Sequence, residues 1–354
     1  MARRPQKDKT KDGAKDALVS PAVSVVVVTY QSRATLARCL ASLKAQTFGD
    51  FETILVDNAA SDGAAQAAAA ADPSLRLIEN AENRGFTGGV NDGARAARGR
   101  WLALLNPDAY AAPDWLERLL AAAAAHPDVL SFASRQLMAD DRSMLDGLGD
   151  VMAAPGFPFR GGYGQPDRGD AAVGEVFSPC GGAMLIDRAL FLDLGGFDER
   201  LFCYCEDVDL GYRLRLAGER TLVIPEAVIE HEGSASTGGP RSDFAVFHGT
   251  RNRLWVFVKN TPPVLLWLTL PLHLAATALL FARHASRGEF KTPWRGLMAG
   301  LGGLPMALQA RREAQARRKV GSLAIARAMT WNPLDLLFRR VVIRRPPPTP
   351  RAGA

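Results

Sequence analysis

The sequence predicts an α/β fold with a doubly wound, mostly parallel sheet flanked by helices. Between residues 23 and 108, short apolar segments rich in β-branched residues alternate with amphipathic or alanine-rich segments, with a period of about fifteen residues. Such alternation is typical of βαβ crossovers, which build parallel sheets. The chain has 354 residues, 47% of them hydrophobic, which is enough for a full core.

Each predicted element has its own local signal. The run VSVVVV at 23–28 is β-branched almost throughout, as expected for a strand covered on both faces of a sheet. The segment TLARCLASLKAQ places Leu36, Leu40 and Leu43 on one helical face. The following elements are predicted, in order, to be the strand FETILVDN, the helix AAQAAAAA, the strand LRLIEN, the helix VNDGARAARG, the strand RWLALLNPD and the helix PDWLERLLAAAAAHPD.

Beyond this region the pattern changes. Residues 139–172 are rich in Gly, Pro and Asp and are expected to form a long surface excursion, which in a compact domain usually has a function. Residues 176–232 form a second ordered block that ends in the strand-like segment ERTLVIPEAVIEH. The four cysteines are too few and too scattered for a disulfide framework, so they are expected to be thiols.

The C-terminal part combines an apolar run with basic charge. Residues 264–282 are close to the length of a membrane span, but Pro271 and His273 interrupt them, so a buried or interfacial helix is an equal alternative. From Arg283 onward, fifteen Arg and Lys oppose three acids, although the whole chain carries only +6. This charge favours an anionic membrane surface. Nucleic acid is not the expected partner, because no recognition motif accompanies the arginines.

The N-terminal segment lacks the apolar core of a signal peptide. We therefore expect the protein at the cytoplasmic side of the inner membrane, held peripherally or by a single hydrophobic segment.

Polar residues follow the predicted strands, where doubly wound sheets bind ligands. Asp57 and Asp108 are expected on the same edge, where their like charges would be relieved by a divalent cation or a cationic ligand. Carboxylates suit Mg²⁺ or Mn²⁺, which commonly bridge to phosphates, so the pattern points towards a nucleotide diphosphate. The polar clusters are Thr29-Tyr30, Asp57-Asn58, Asn83-Arg84-Gly85 and Asn106-Pro107-Asp108.

Several of these segments carry a family resemblance. VSVVVVTYQSRATLARCLASLKAQTFGDFETILVDNAASDG and ENRGFTGGVNDGARAARGRWLALLNPDAY resemble the nucleotide-sugar-binding half of the inverting glycosyltransferases of family 2, which have the GT-A fold. The Asn-Pro-Asp resembles the rhamnosyltransferase-like branch, where it stands in for an Asp-X-Asp metal motif. GGAMLIDRALFLDLGGFDERLFCYCEDVDL is similar to the family's acceptor-side segment.

The resemblance and the composition together imply a domain organisation. A GT-A domain is expected at 21–260, with a nucleotide-sugar half at 21–112 and an acceptor half at 113–260. An apolar and basic helical extension at 261–345 is expected to associate with the membrane. Residues 1–20 and 346–354 are expected to be disordered tails.

The resemblance also implies a role for individual residues. Inverting transfer is a single displacement that needs one carboxylate base, which by position is Asp207, with Glu206 and Asp209 as supports. An acidic helix N-terminus is the structural alternative for these three residues. Asp108 and His231 match metal ligands for Mg²⁺ or Mn²⁺, although a lone histidine is often structural. The donor-binding residues are expected to be Thr29, Tyr30, Asp57, Asn58, Arg84, Gly85, Phe86, Asn106 and Arg251.

The implied function is transfer of a sugar, with rhamnose as the first candidate, from a nucleotide diphosphate donor to a hydroxyl of a glycan or lipid-linked saccharide in cell-surface polysaccharide synthesis. Two alternatives stay open from the residues. One is a nucleotidyltransferase-like enzyme, although TYQSRATLARC lacks the glycines of an activating loop. The other is an inactive nucleotide-sugar-binding scaffold at the membrane, which would not need the acids at 206–209.

Overall fold

The structure, a computed structural model, describes residues 20–233, 238–239 and 241–345. A 3₁₀ turn lies at Glu199–Leu201, ahead of the helix that begins at Glu206. Within the described residues the elements are, in order, β1 (Val23–Thr29), α1 (Leu36–Lys44), β2 (Phe51–Asp57), α2 (Ala64–Ala71), β3 (Arg76–Glu79), α3 (Gly85–Ala96), β4 (Trp101–Leu105), β5 (Ala109–Ala111), α4 (Trp115–Ala125), β6 (Ser131–Met138), β7 (Leu145–Leu148), β8 (Asp150–Ala153), β9 (Phe157–Arg160), β10 (Gly174–Val176), β11 (Ala183–Asp187), α5 (Arg188–Asp193), α6 (Glu206–Leu216), β12 (Thr221–His231), α7 (Asp243–Asn260), α8 (Pro263–Ala285), α9 (Lys291–Gly302), α10 (Leu304–Ala316), α11 (Ser322–Ala328) and α12 (Pro333–Phe338).

The predicted α/β sheet flanked by helices is confirmed, and the sheet is mixed. Its strand order is β10-β12-β6-β11-β4-β1-β2-β3, with β5 paired to β12 and β7 paired to β6. The first four strands are parallel, as predicted, and β6 is parallel to β12. β11 is antiparallel to both of its neighbours, so the second half of the sheet contains parallel and antiparallel pairs.

The parallel half of the sheet aligns the strand ends that matter for the site. β1 is buried over its whole length, as its β-branched run predicts. In the register, Thr29 lies beside Asp57, and Asp57 lies beside Glu79. The carboxyl ends of β1, β2 and β3 therefore meet one edge, where the following loops can surround a ligand.

The prediction of a surface excursion at 139–172 is wrong. This segment contains β7, β8 and β9, and Leu145, Leu148, Val151 and Phe157 are buried. Most of the Gly, Pro and Asp residues that suggested a loop lie before, between or after these short strands. Two antiparallel strands, β8 and β9, form a hairpin with Asp150 directly opposite Arg160.

Helix α8 covers the apolar run of the C-terminal part. Among the described residues it is the one helix that is long and apolar enough to cross a membrane, judged by length and composition. Its buried residues are Leu265, Thr269 and His273, which fall four residues apart on one narrow face. The predicted tails lie outside the described residues except for Ser20, and the domain boundaries stay a prediction.

Candidate active site

A cleft of about 640 Å³ lies at the carboxyl ends of the parallel strands. Loops after β1, β2 and β3 form one wall, and the segment before α6 forms the other. The floor comes from the loop after β4 and from the end of β12. Residues that line the cleft include Tyr30, Asn58, Gly85, Phe86, Asn106, Asp108, Asp150, Arg160, Glu206, Asp207 and His231.

One end of the cleft is built around His231, the last residue of β12. His231 Nε2 lies 3.3 Å from Asp108 Oδ1, and its Nδ1 lies 2.8 Å from Asp146 Oδ2. Burial opposes protonation of His231, but the hydrogen bonds to the two carboxylates raise the pKa of the imidazole to about 9. A carboxylate that holds the far ring nitrogen is a common support for a metal-binding histidine, because it fixes the ring and its tautomer.

Buried polar atoms without a partner cluster at the same end. Asn106 Oδ1 has no hydrogen-bond partner among the described residues, although Asn106 Nδ2 lies 3.4 Å from His231 Nε2. Within the described part of the chain, neither side-chain amide atom of the buried Gln136 has a hydrogen-bond partner. An unpartnered buried polar atom costs free energy unless a ligand, ion or water satisfies it. Asn106, Asp108 and His231 together offer an amide oxygen, a carboxylate and an imidazole, a donor set that suits Mn²⁺ or Mg²⁺.

The other end of the cleft is the N-terminus of α6. Asp207 accepts hydrogen bonds from the backbone N–H groups of Gly181 at 3.2 Å and Val208 at 2.8 Å. Its backbone carbonyl accepts a bond from the hydroxyl of Ser178 at 2.6 Å. The side chain is therefore held in place, and it faces the cleft.

Glu206 lies beside Asp207 and is buried. Burial, reinforced by the charge of Asp207, raises the pKa of Glu206 to about 8, and its Oε2 has no partner among the described residues. At neutral pH Glu206 therefore keeps its proton.

The chain before α6 is strained. Phe202, Tyr204 and Cys205 have φ values of 66°, 71° and 67°, a region that non-glycine residues rarely adopt. The side-chain amide of the buried Asn252 donates to the carbonyl oxygens of Leu201, Cys203 and Tyr204 at 2.8–2.9 Å. Strain of this kind persists where the surroundings hold it, and it often marks a functional segment.

Comparison with known proteins identifies the family of the chain that contains this cleft. The sequence model of the family described as Glycosyl transferase family 2 matches residues 24–194. An N-acetylglucosaminyl-diphospho-decaprenol L-rhamnosyltransferase of Mycobacterium tuberculosis (strain H37Rv) is 32% identical over 253 residues, which are 63% of this chain and 80% of that protein. The chain belongs to glycosyltransferase family 2.

Two solved structures share the GT-A fold of this glycosyltransferase. The mannosyltransferase PcManGT from Pyrobaculum calidifontis, in complex with GDP-Man and Mn²⁺, matches with a TM-score of 0.53 and 20% identity over 86% of this chain and 88% of its own. GalNAc-T7 with UDP, GalNAc and Mn²⁺ matches with a TM-score of 0.54 and 16% identity, over 68% of this chain and 48% of its own. The predicted family and fold are confirmed.

The wall of the cleft formed after β2 and β3 is held together by Asn58. Its Nδ2 donates to Asn83 Oδ1 at 2.9 Å and to the carbonyl of Gly85 at 2.8 Å, and its Oδ1 accepts from the N–H of Arg84. Gly85 has φ of 70°, and a Cβ there would lie 2.4 Å from the carbonyl oxygen of Phe202. Only glycine therefore lets the two walls of the cleft approach so closely.

Several residues predicted for the donor site point elsewhere. Thr29 is buried and its hydroxyl donates to the carbonyl of Val56. The Arg84 side chain pairs with Asp92 and Glu199 at the surface of α3. Arg251 donates to the carbonyl of Leu201 and lies over the ring of Trp255.

The expected meeting of Asp57 with Asp108 does not occur. The Asp57 carboxylate accepts hydrogen bonds from Gln66 and from the N–H of Ala60, because the loop after β2 folds back towards α2. Asp209 also lies away from the cleft. It is fully buried and pairs with Arg213 and Lys259, since its position two residues after Asp207 turns it to the opposite side of α6.

Sequence reasoning missed four polar residues of this site. Asp146, Asp150 and Arg160 come from the segment that resembled a loop, and Gln136 lies within β6. The signal that could have found them is the presence of single charged residues inside short apolar stretches, such as Asp150 in DVMA and Arg160 in FPFR. Buried charges are usually paired or bound to a ligand.

Proposed function

We propose that this glycosyltransferase transfers a sugar, with inversion, from a nucleotide diphosphate donor to a hydroxyl of a glycan or a lipid-linked saccharide. The observation that carries the proposal is that one cleft is lined by Asp207 and by the pair of Asp108 and His231. The rhamnosyltransferase of M. tuberculosis supports rhamnose as the sugar and a polyprenyl-diphosphate-linked saccharide as the acceptor.

The first step that the residues support is holding the donor. Asn58, Asn83 and Gly85 shape the wall where the nucleotide would lie, and Tyr30 is half exposed at its mouth. Asp108, His231 and Asn106 would hold a divalent cation. When bound, Mg²⁺ or Mn²⁺ supplies positive charge that stabilises the departing diphosphate. The two GT-A structures that contain Mn²⁺ are consistent with this choice.

The second step is the displacement at the anomeric carbon. Asp207 accepts the proton of the acceptor hydroxyl while its oxygen forms the new bond to the anomeric carbon, and the bond from that carbon to the diphosphate breaks. Inversion follows because the attack comes from the side opposite the leaving group. The N–H donors of Gly181 and Val208 keep the Asp207 carboxylate oriented for this proton transfer.

Purified protein tests the proposal with dTDP-rhamnose and polyprenyl-diphospho-N-acetylglucosamine, alongside a panel of other nucleotide sugars, with and without Mn²⁺. We expect Asp207→Asn and Asp108→Ala to lose at least about a hundredfold in kcat, because each removes a group that acts in the transition state. The exposed Asp193→Asn serves as the control. Wild-type turnover in both site variants would contradict the assignment.

The same assay separates the two alternatives. An inactive scaffold would bind a donor tightly and release no nucleoside diphosphate with any acceptor. A nucleotidyltransferase would instead form or cleave a nucleotide–phosphate bond and release pyrophosphate or a nucleoside monophosphate.

We also propose that the protein rests on a membrane through an apolar surface, defined here as the exposed apolar side chains of α8, α11 and α12 with the adjoining Trp331. His273, which together with Pro271 weakened the prediction of a membrane span, lies on the face of α8 that packs on the protein. It stacks on Phe257 and hydrogen-bonds the carbonyl of Pro155. This supports an interfacial helix rather than a spanning one. The apolar surface comprises Val264, Trp267, Leu268, Leu272, Leu274, Leu279, Leu323, Trp331, Leu334, Leu337 and Phe338.

Charge next to this surface supports the same proposal. Arg283 lies in the last turn of α8 and Arg287 follows that helix, while Arg339 and Arg340 follow α12. All four side chains are exposed. Arginines beside exposed tryptophan and leucine suit the head groups of anionic lipids, which attract each basic residue with about 1 kcal/mol.

A further inference from the structure

The β8–β9 hairpin brings one cation into the floor of the cleft. Arg160 lies directly opposite Asp150 in the hairpin register, and both residues line the cleft. Gly147 makes room for the arginine, because a Cβ at that position would lie 2.4 Å from Arg160 Cγ. The neighbouring strand is thus shaped to admit this side chain.

On the metal side, Arg160 belongs to a chain of contacts. Its Nη1 donates to Asp146 Oδ2, and the same oxygen contacts His231 Nδ1. His231 Nε2 in turn lies 3.3 Å from Asp108. Arg160 therefore fixes the carboxylate that fixes the histidine ring.

On the base side, Arg160 faces a crowded group of acids. Ligand-type atoms of Asp150, Cys180 and Asp207 all lie within 4.8 Å of one another. Burial, followed by the charge of Asp207, raises the pKa of Asp150 well above its ordinary value, and the positive charge of Arg160 opposes this shift. The positive charge of Arg160 also opposes the burial that raises the pKa of the Cys180 thiol and of the Glu206 carboxyl group.

These contacts also keep the arginine charged. Burial opposes the charge of Arg160, but Asp146, Asp150 and Asp207 around it hold the pKa of its guanidinium well above the ordinary value. The planar fork of an arginine can serve two carboxylate groups at once, which the single ammonium of a lysine does less well.

We propose that Arg160 is a positioning residue that serves two sides of the active site: through Asp146 it orients His231 towards the cation, and its positive charge balances the crowded carboxyl groups of Asp150 and Asp207. This inference rests on the proposed function of the cleft. It gives the hairpin a role in the reaction that is distinct from merely closing the fold.

A tethering role is the competing explanation, and the chain offers a matched control for it. Arg135 pairs with Asp167 and so ties the same segment, 139–172, to β6. Both side chains are largely buried, as Arg160 and Asp146 are. If Arg160 only tethered the segment, Arg135→Gln and Arg160→Gln would behave alike.

The experiment compares wild type, Arg160→Gln, Arg160→Lys and Arg135→Gln in two measurements. Mn²⁺ affinity is measured on donor-free protein by calorimetry, and kcat for donor turnover is measured from pH 5 to 9. For Arg160→Gln we expect about 10- to 100-fold weaker Mn²⁺ binding, typical for loss of a group behind a metal ligand. We also expect the acid limb of the kcat profile to move up by about one pH unit, typical for loss of a nearby opposite charge.

Arg160→Lys should restore the position of the acid limb, because it keeps the charge, while Mn²⁺ binding stays weakened because the fork is lost. Arg135→Gln should change neither measurement and lower only the melting temperature. If Arg160→Gln matches Arg135→Gln in both measurements, the inference is wrong while the proposed function stands. If wild type neither binds Mn²⁺ nor turns over any donor in the panel, the proposed function itself fails, and the inference falls with it.

Discussion

Asn106 is the residue at which this site departs from the commoner metal motif of its family. Its side-chain oxygen is buried and has no partner among the described residues, and its nitrogen lies 3.4 Å from His231 Nε2. Asp108 and Asp146 already contact the two nitrogens of that ring. A third carboxylate here would repel the other two unless a cation were bound. The neutral amide thus limits the negative charge of the site and would leave an oxygen for the proposed cation.

Asn106→Asp should therefore lower the stability of the metal-free protein and raise its affinity for the metal. We expect a lower melting temperature for the metal-free variant, because like charges crowd, and about tenfold tighter Mn²⁺ binding, because ligand charge raises affinity. Thermal melts with and without Mn²⁺, together with a calorimetric titration, check both effects. Weaker Mn²⁺ binding in this variant would argue against Asn106 as a neighbour of the ion.

Glu206 gives a pH dependence with a definite sign. Its pKa of about 8 in the folded protein lies above the ordinary glutamate value, so the folded state keeps a proton that the unfolded state loses. Its contribution to the free energy of unfolding is fully present below about pH 4.5 and falls by up to roughly 1.4 kcal/mol per pH unit until about pH 8.

Glu206→Gln removes this dependence, because glutamine has a similar shape and does not ionise. Urea denaturation from pH 5 to 9 should show that the free energy of unfolding of the variant increases relative to that of wild type as the pH rises. The difference should become constant above about pH 8.5. Exposed Glu79→Gln is a control that should track wild type at each pH. A pH-independent difference for Glu206→Gln would show that the carboxyl group is already ionised in the fold.

The sequence was a better guide to which residues line the cleft than to the contacts that those residues make. Asp108, Asp207 and His231 do line one cleft, and their roles as metal ligands and base stay predictions. The contact between Asp108 and His231 joins residues that are 123 positions apart in the chain, so position within a family motif was the signal available for it. The turn of Asp57 towards Gln66 depends on how the loop after β2 folds back, which no local pattern determines.

At the scale of elements, the strained segment before α6 depends on α7. Asn252 is fully buried and its amide satisfies three carbonyls of that segment. No sequence pattern indicated this strain, since positive φ values at Phe202, Tyr204 and Cys205 are unexpected for these residue types.

Asn252→Ala should release the segment. We expect a loss of about 2–4 kcal/mol in the free energy of unfolding, because buried carbonyls lose their donor, and a loss of at least about tenfold in kcat/KM, because Asp207 moves relative to the donor. Asn91→Ala is the matched control, since Asn91 is another buried amide that bonds Phe197 and Glu199 away from the cleft. Equal activity losses in the two variants would indicate a general effect of instability.

The elements themselves were predictable where the hydrophobic pattern was long. The strands and helices from β1 to α4 follow it closely, although α3 begins at Gly85, earlier than the pattern VNDGARAARG indicated. The strands β7, β8 and β9 were not predictable from the same pattern, because each spans only four residues and is bounded by glycine or proline. Packing against the sheet and α8 decides their conformation.

At the scale of the whole molecule, the apolar surface predicts binding to lipid. Flotation with vesicles of phosphatidylglycerol and phosphatidylcholine should recover the wild-type protein in the vesicle fraction. The double variant Trp267→Glu with Leu268→Glu should lower the bound fraction at least about tenfold, because charges replace two exposed apolar side chains. Vesicles of phosphatidylcholine alone should bind less, since the arginines then find no anionic partner.

Leu308→Glu is the control for this test. Leu308 is half exposed on α10, outside the apolar surface, so the change adds the same charge elsewhere. An equal loss of vesicle binding in this variant, or no binding by wild type, would count against the membrane proposal.

The β8–β9 hairpin also separates the cleft from the apolar surface by a fixed distance. Asp150 and Arg160 lie at its cleft end, while at the turn end Ala153 and Phe157 pack with Ala276 and Leu280 of α8 and Leu336 of α12. Three residue steps at about 3.3 Å each separate Asp150 from Ala153, so the hairpin spans roughly 10 Å between the helices of the apolar surface and the acids of the cleft. If that surface rests on lipid, the length of the hairpin sets the distance between the bilayer and the acids of the cleft. Acceptor hydroxyls would then be selected by how far they stand above the bilayer, as well as by the sugar that carries them.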